Sequence, residues 1–183
     1  MNFLSVLGVL RVYAFPSVTG SKCRDGFTLI EMIVVMAIIA ILALMLVPTY
    51  QDKLIRDQIV EALPLADLAK KRVEASWSGA QAFPRNNKAA GLPPAEKIVS
   101  NHIKETAVRD GAIHITFGNS ANPQIIGKTL SLRPAVVMDA PVVPIAWVCG
   151  NASGPDKMTV KGENRTNIPV AYLPFNCRPR AAP

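Results

Sequence analysis

A long run of apolar residues dominates the start of the chain. It extends from residue 27 to residue 47, and Glu31 is the only charged residue within it. A helix of 21 residues would be roughly 30 Å long, which matches the hydrocarbon core of a bilayer. The pattern therefore predicts a membrane-spanning helix. A carboxylate at that depth costs about 2.5–3.5 kcal/mol, so we expect Glu31 to have a specific partner.

Beyond Pro48 the polar residues return, but apolar residues still recur at alternating steps of three and four. This spacing is typical of one face of a helix, so we expect the helix to continue to about residue 77 and to pack against a globular head. Pro48 and Pro64 each remove a backbone donor, which predicts bends or local unwinding. Such points either let the helix stretch or are simple kinks, and both interpretations stay open. The recurring apolar residues are Ile55, Ile59, Ala62, Ala66, Ala69, Val73 and Trp77.

The rest of the chain changes from helical to strand-like patterning. Residues 79–94 are rich in Gly, Pro, Asn and Lys and predict a connecting loop, and residues 95–106 predict a short helix. Alternating and β-branched residues then predict strands at 112–117, 129–137 and 142–149, within a sheet of three or four antiparallel strands.

Pro134, Pro141 and Pro144 interrupt these strand-like runs. They favour edge positions, bulges or shifted boundaries. An antiparallel sheet is the simplest cover for the apolar stripe of the helix. The chain is therefore predicted to be an α+β protein.

A short basic segment, Ser21-Lys22-Cys23-Arg24-Asp25-Gly26, precedes the apolar run. In an ordinary secretory signal the small-residue cleavage site follows the apolar stretch, which is then lost. Here, cleavage after Gly26 would keep the helix. Gly26 followed by Phe-Thr-Leu-Ile-Glu and an unbroken apolar helix resembles the prepilin motif of type IV pilins, which the pseudopilins of type II secretion share.

Two further segments extend this resemblance. Pro48 and Tyr50 lie where pilins commonly carry a kinking proline and an aromatic residue. Tyr172-Leu173-Pro174, followed by Cys177 and Arg178, resembles the closing segment of type IVa pilins. Residues 79–143 carry no comparable motif and rest on the patterning alone.

The resemblance implies a processing pathway and an architecture. A prepilin peptidase would cut after Gly26, Phe27 would be N-methylated, and Glu31 would be the carboxylate critical for assembly. An alternative is that Glu31 is a determinant for the peptidase. The implied fold has a removed leader (1–26), a transmembrane and filament-core helix (27–48) and an amphipathic helix (49–78). These are followed by a globular head (79–183) with an antiparallel sheet and a disulfide-bounded loop (149–177).

The 26-residue leader is longer than the few residues that this class usually carries. A translation start at Val18 would account for the difference. An alternative is that residues 1–15, which are mildly apolar with Arg11 among them, form a second membrane-associated stretch.

Cysteine usage agrees with removal of the leader. The chain has three cysteines, and an odd number leaves one without a disulfide partner in an exported protein. Cleavage would remove Cys23. Cys149 and Cys177 would then be available as a disulfide in an oxidising compartment such as the periplasm. Two free thiols are the alternative.

The charge is moderately basic. The whole chain has a net charge of +7, and without residues 1–26 it keeps 17 basic and 12 acidic residues, a net charge of +5. The basic residues at 70–72, together with Arg178 and Arg180, could contact nucleic acid or another anionic surface. A solvated protein face explains the same clusters.

Neither catalysis nor a cofactor is indicated. The two histidines, His102 and His114, have no metal-ligand spacing, and no phosphate loop or nucleophile motif is present. His114 alternates with Ile113 and Ile115, so it is predicted to point from the polar face of a strand. Two N-glycosylation patterns, at Asn151 and Asn164, are short enough to arise by chance.

The leading hypothesis is therefore a structural subunit of a type IV pilus used in adhesion, twitching motility or DNA uptake. Its partners would be further copies of itself, the prepilin peptidase and the assembly machinery of the inner membrane. It would be anchored in that membrane with its head in the periplasm and would end in an extracellular pilus. The alternatives are a minor pilin with a DNA-binding head and a type II secretion pseudopilin.

Overall fold

A computed structural model describes residues 27–138 and 140–180 of the chain, apart from the side chains of residues 47–49. The predicted leader, with Cys23 and Gly26, lies outside these residues, as does the side chain of Pro48. The chain divides into two compact units, of which one ends at Leu42 and the other begins at Ala43.

One long helix, α1, runs from Leu29 to Ala80. Each side chain described from Phe27 to Leu46 is exposed. By length and composition this helix is apolar enough to cross a membrane, and its most apolar window is not buried by the rest of the chain. The predicted continuation of the apolar helix into an amphipathic one is confirmed, and α1 ends three residues beyond the predicted Trp77.

The second unit is built on the later part of α1. All seven apolar residues of the predicted stripe, from Ile55 to Trp77, are buried. Three of them, Ala62, Ala66 and Ala69, are small, and they share one hydrophobic core with the inward-facing residues of the sheet. Helical periodicity in the sequence therefore identified the packed face correctly, because burial repeats every 3.6 residues.

Pro64 lies inside α1, and the helix is continuous through residues 48 and 64. Because each proline lacks a backbone N–H, one helical hydrogen bond is missing at each of the two positions. The bends at Pro48 and Pro64 stay predictions.

Five strands form one antiparallel sheet. They are β1 (Ile103–Arg109), β2 (Ala112–Phe117), β3 (Thr129–Val136), β4 (Ala146–Cys149) and β5 (Thr159–Val160). The order is β1-β2-β3-β4, and β5 also pairs with β3. The predicted α+β fold with a small antiparallel sheet is thus confirmed, with more strands than the three or four expected.

The face of the sheet that joins the core is set by register. Val108 pairs with Ile113, and Ile113 pairs with Leu132, so these three side chains lie on the same face. All three belong to the core that includes the buried stripe of α1. The opposite face carries His114 and Ser131, which are also directly paired.

The predicted helix at residues 95–106 was wrong. Only Ala95–Lys97 forms a turn of 3-10 helix, and strand β1 begins at Ile103. The reason is the tight turn that follows, because Asp110 and Gly111 both have positive φ angles, of 47° and 82°. An Asp-Gly pair with this geometry joins two antiparallel strands and pulls Ile103–Arg109 into the sheet.

The strand predicted at 142–149 is shorter than expected. β4 begins at Ala146, and Val142 lies in the preceding segment with 93% of its surface exposed. Pro141 and Pro144 account for the late start, since neither can donate a ladder hydrogen bond. The predictions at 112–117 and 129–137 are confirmed to within one residue.

Pro134 lies inside β3. On one side of β3, the neighbouring strand changes at this point from β2 to β5. The pairing of β3 with β2 stops at Leu132, and its pairing with β5 starts at Ala135. The carbonyl of Pro134 accepts a hydrogen bond from the Lys161 N–H at 2.8 Å. The missing proline donor therefore falls between two partners, where no ladder bond is lost.

Candidate functional site

The start of α1 has a local cap. The Oγ1 atom of Thr28 accepts a hydrogen bond from the backbone N–H of Glu31 at 3.3 Å. Thr28 occupies the N-cap position and Glu31 the third helical position, as in a capping box. A carboxylate in the first turn also interacts favourably with the positive end of the helix dipole. The local sequence therefore explains why the helix begins at this point.

The surface around this cap is apolar. Phe27 is 75% exposed, and the apolar side chains that follow it to Leu46 are exposed as well. Within the described part of the chain, the Glu31 carboxylate takes part in no salt bridge. An apolar surface of this length must be covered by lipid or by other protein, because exposure of so many large side chains to water is unfavourable.

A disulfide between Cys149 and Cys177 closes the segment that lies between them, which we call the closed segment. Cys149, the last residue of β4, bonds to Cys177, and their Cα atoms are 4.5 Å apart. The Asn151 N–H donates to the Cys177 carbonyl at 3.0 Å and so continues the contact. Gly150 is required here, since a Cβ on it would lie 2.8 Å from that same carbonyl oxygen. The cysteine pair expected from the sequence is therefore present.

Two arginines fix the end of the closed segment. Arg56 of α1 donates from Nε and Nη2 to the Ala171 carbonyl, at 3.1 and 2.8 Å. Arg178 donates to the carbonyl oxygens of Leu173 and Ala171. The Leu173 side chain is fully buried beneath them. Arg178 thus has a structural role, and it does not form a free basic surface with Arg180.

The other predicted basic cluster, at residues 70–72, has one of its charges paired. Lys70 forms an ion pair with Asp67 at 2.8 Å, while Lys71 and Arg72 are exposed. A different basic group, which sequence patterning did not single out, lies together on the head. It consists of Arg85, Lys88 and Arg109, all of which line one groove. The only signal for it was the presence of Arg and Lys in the loop predicted at 79–94.

His114 is more buried than the sequence indicated. It faces away from the main core, as alternation predicted, but only 4% of its surface is exposed. Its Nδ1 lies 2.9 Å from the Ser131 Oγ, which also accepts a hydrogen bond from the Arg165 N–H. The segment between the cysteines therefore contacts this face. Burial, with Arg165 and Arg109 as secondary causes, lowers the pKa of His114 to about 4.

The two glycosylation patterns have a structural explanation. Asn164 Nδ2 donates to Asn151 Oδ1 at 2.9 Å, and Asn164 Oδ1 accepts from the Thr166 N–H. Thr166 Oγ1 in turn accepts from the Ser131 N–H on the edge of β3. These side chains hold the closed segment against the sheet.

Across the residues that the structure describes, no group of three or more His, Cys, Asp or Glu could hold a metal ion.

The structure combines an apolar N-terminal helix, a small antiparallel sheet and a C-terminal segment closed by a disulfide, as expected for a pilin. Comparison with protein families agrees. The pilin family of bacterial filaments matches residues 56–178, and the prokaryotic N-terminal methylation motif matches residues 21–47. The chain belongs to the pilin family and is a structural pilus subunit.

Individual relatives agree over most of the chain. A type IV major pilin protein, PilE1, of Neisseria gonorrhoeae is 35% identical over 166 residues, which cover 87% of this chain and 89% of the relative. A fimbrial protein of Neisseria meningitidis serogroup A is 34% identical, with 87% and 96% covered. The fimbrial protein EcpC of Eikenella corrodens is 33% identical, with 88% and 95% covered.

Proposed function

We propose that this chain is the main subunit of a type IV pilus and that its helix acts first as a membrane anchor and then as the filament core. The observation that carries the proposal is the exposed apolar start of α1, in which Glu31 is the only charged residue. The N-terminal methylation motif covers this same segment. Relatives that match most of the chain are named as major pilins.

Processing comes first in this proposal. A prepilin peptidase cuts after Gly26, and the new amino group of Phe27 is N-methylated. The subunit then waits in the inner membrane, with the amphipathic part of the helix and the head in the periplasm. An oxidising periplasm is the compartment in which the Cys149–Cys177 disulfide would form and persist.

Assembly follows when the machinery of the inner membrane moves the helix from lipid into a growing filament. Apolar packing between staggered copies supplies most of the cohesion, because the extracted helices would otherwise face water. In this apolar core the Glu31 carboxylate pairs with the methylated, cationic amine of Phe27 on a neighbouring copy. The pair neutralises two charges that would each be costly to bury alone, and it sets the register between copies.

The assembled pilus would lie outside the cell and support adhesion, twitching motility or DNA uptake. The segment between Cys149 and Cys177 is a candidate contact surface for a host or other ligand. Many of its side chains are exposed, including Phe175 at 92%.

The composition of sheared filaments tests the proposal. Filaments are sheared from cells, and the dominant protein and its N-terminal peptide are identified by mass spectrometry. We expect this chain to dominate and to begin at N-methylated Phe27. A processed chain that is scarce or absent in the sheared fraction would contradict a main-subunit role and would favour a minor pilin or a pseudopilin. A chain that keeps residues 1–26 in the filament would contradict the processing step.

A further inference from the structure

A pocket of about 320 Å³ lies on the head, beside the last turns of α1. One wall is the helix itself, with Glu74, Trp77 and Ser78, and the other is the segment of residues 141–145 that leads into β4. A pocket of this size can hold a small ligand or one side chain of another molecule. Both walls belong to the second unit, so the pocket does not depend on the membrane-spanning part of the helix.

The carboxylate of Glu74 has a fixed position in this pocket. Its Oε1 accepts a hydrogen bond from the Trp147 Nε1 at 2.7 Å, although the two residues are 73 positions apart in the chain. The Ser78 hydroxyl donates to the Glu74 main-chain carbonyl at 2.9 Å in the next turn of the helix. Glu74 is half-buried. Its negative charge is therefore held in the pocket wall.

This negative charge has no counter-ion in the part of the chain that the structure describes. The ion pairs found there join Lys70 to Asp67, His102 to Glu61 and Arg165 to Glu163. Glu74 is also the only charged residue among the described residues of the lining. A partly buried carboxylate without a counter-ion is unfavourable, and a bound cation would relieve that cost.

The indole of Trp77 provides an aromatic surface beside the carboxylate. Only 6% of Trp77 is exposed, and its Nε1 is completely buried, so the part that lines the pocket is the ring. The ring is fixed in place because it stacks on Phe83, with the ring centroids 4.7 Å apart. An indole ring attracts cations through its electron-rich face.

The backbone of the second wall offers more free acceptors than donors. Pro141 and Pro144 have no N–H, and the Val143 N–H is already bonded to the Ala140 carbonyl at 3.0 Å. The carbonyl oxygens of residues 141–144 accept no hydrogen bond from a donor that the structure describes. A ligand that brings several donors and no acceptor suits such a wall, and an ammonium group carries three N–H donors.

We propose that this pocket binds a primary alkylammonium group, with the ammonium against Glu74 and the alkyl chain against Trp77 and the apolar side chains of residues 141–145. The same group ends a free alkyl amine and the side chain of a lysine residue in another protein, so the chemistry covers both sources. A guanidinium fits less well, because it pairs best with both oxygens of a carboxylate and one of these is bonded to Trp147. The inference goes beyond pilus assembly, since it concerns the head alone.

The two tryptophans provide a direct readout. Trp77 lines the pocket, Trp147 donates to Glu74, and the chain contains no other tryptophan. The test uses the processed full-length protein in neutral detergent micelles at pH 7 and follows the two indole N–H resonances by NMR as pentylamine is added. We expect both resonances to shift with one saturable curve and a Kd on the order of 1 mM, as is usual for so small a ligand. Pentan-1-ol, which has the same chain without the charge, should bind at least fivefold more weakly.

A conservative variant tests the carboxylate. Glu74→Gln keeps an oxygen that can accept from Trp147 but removes the charge, so it should bind pentylamine about fivefold more weakly and pentan-1-ol within about twofold of the wild type. Glu96→Gln removes an exposed carboxylate outside the lining and should bind pentylamine as the wild type does. The backbone amide resonances of each variant, recorded without ligand, show whether it is folded. Because pentan-1-ol binding is measured on the same sample, a general loss of the pocket is distinguished from the loss of its charge.

A second arm separates the two sources of the ammonium group. The peptide Gly-Lys-Gly, acetylated and amidated at its ends, presents a lysine side chain without other charges. Tighter binding of this peptide than of pentylamine would support the proposal and assign the pocket to a lysine side chain. Tighter binding of pentylamine would support it equally and assign the pocket to a free amine.

Three outcomes would overturn the proposal. One is the absence of a shift in either indole resonance at about ten times the expected Kd. The second is equal affinity for pentylamine and pentan-1-ol, which would mean that the pocket takes apolar chains without regard to charge. The third is unchanged binding of pentylamine by Glu74→Gln, which would place the amine elsewhere. Because the protein is unassembled in this test, none of these results depends on whether it forms pili.

Discussion

Arg56, in the helix, donates two hydrogen bonds to the carbonyl oxygen of Ala171, which lies 115 residues later in the chain. The contact joins α1 to the segment that the disulfide closes. Arg178 contacts the same carbonyl oxygen at 3.2 Å, so one acceptor is held by two guanidinium groups. The position of the closed segment on the head therefore depends on charge-assisted hydrogen bonds as well as on the disulfide.

Replacement of Arg56 should loosen this contact. We expect Arg56→Ala to lower the free energy of unfolding by about 1–2 kcal/mol, since hydrogen bonds from a charged group contribute roughly 1.5–3 kcal/mol and this one is partly exposed. Urea unfolding of the oxidised protein in detergent gives the global change. Hydrogen exchange at residues 171–173 gives the local one, and it should become faster. Lys53→Ala, an exposed residue one turn away, is the control, and an equal effect of the two variants would contradict the role given to Arg56.

Loss of the disulfide should cost more. The cysteines are 28 residues apart, and closure of such a loop stabilises by about 3–4 kcal/mol in the chain-entropy model. Both Cys149→Ser and Cys177→Ser should therefore lower the midpoint of urea unfolding, and a reductant should have no further effect on either. Cys23→Ser is the matched control, because the leader that contains Cys23 is removed in the proposed pathway. A wild-type midpoint that does not change on reduction would show that the bond contributes nothing.

The buried His114 predicts a loss of stability in acid. Its pKa is lowered to about 4 in the folded protein, against an ordinary value of 6.5. Between these values the unfolded chain binds the proton and the folded chain does not, so stability falls as the pH decreases from 6.5 towards 4. The expected loss between pH 7 and pH 4.5 is about 2–3 kcal/mol.

A substitution separates this contribution from the other titrating groups. His114→Gln keeps a polar side chain beside Ser131 but cannot titrate. Between pH 7 and pH 4.5, the free energy of unfolding of this variant should fall by about 2–3 kcal/mol less than that of the wild type. This difference does not depend on the stability of the variant at pH 7. His102→Gln, at the partly exposed contact with Glu61, is the comparison variant that shows whether replacement of any histidine has this effect. Equal pH dependence in all three proteins would show that His114 is protonated without cost.

Much of the fold could be predicted from the sequence, because its helix and several of its strands follow from the periodic spacing of apolar residues. The stripe from Ile55 to Trp77 repeats every three or four residues, and each member is buried. Strand β2 was placed correctly because its alternation is regular and Gly residues flank it. Strand β1 was missed because Glu105, Thr106 and the residues around them look equally suited to a helix. The signal that could have corrected this is the Asp110-Gly111 pair, which is typical of a two-residue hairpin turn.

The candidate functional sites also divide into those that a local sequence pattern could predict and those that it could not. The N-terminal motif is contiguous, so the sequence alone could single out Phe27 and Glu31, whose roles stay predictions. The basic groove of the head is not contiguous, since Arg85 and Arg109 come together only because the Asn87 side chain bonds to the edge of β1. Two polar contacts, the buried one of His114 with Ser131 and the partly exposed one of Arg56 with Ala171, likewise join distant parts of the chain. No local pattern predicts such pairs, because they are set by tertiary packing.

The last prediction concerns Glu31. If it pairs with the methylated amine of Phe27 on a neighbouring copy, Glu31→Leu should leave the subunit in the membrane but reduce filament assembly strongly. Leucine removes the cost of burying a carboxylate, so insertion should be unimpaired or better, whereas the neighbouring amine would be left as an unpaired charge in an apolar core. The measurements are the membrane fraction of the subunit, the yield of sheared filaments and the mass of the N-terminal peptide. Glu96→Leu, an exposed acidic residue of the head, is the control.

The N-terminal mass decides between two roles for Glu31. A processed, N-methylated Glu31→Leu subunit that accumulates in the membrane without filaments agrees with pairing in the filament. Accumulation of the uncut precursor, as expected for a variant at Gly26, would make Glu31 a determinant for the peptidase instead. Normal piliation by Glu31→Leu would contradict both roles. The buried amine would then need another partner, and coexpression of Glu31→Leu with wild-type subunits would show whether such filaments are mixed or formed by the variant alone.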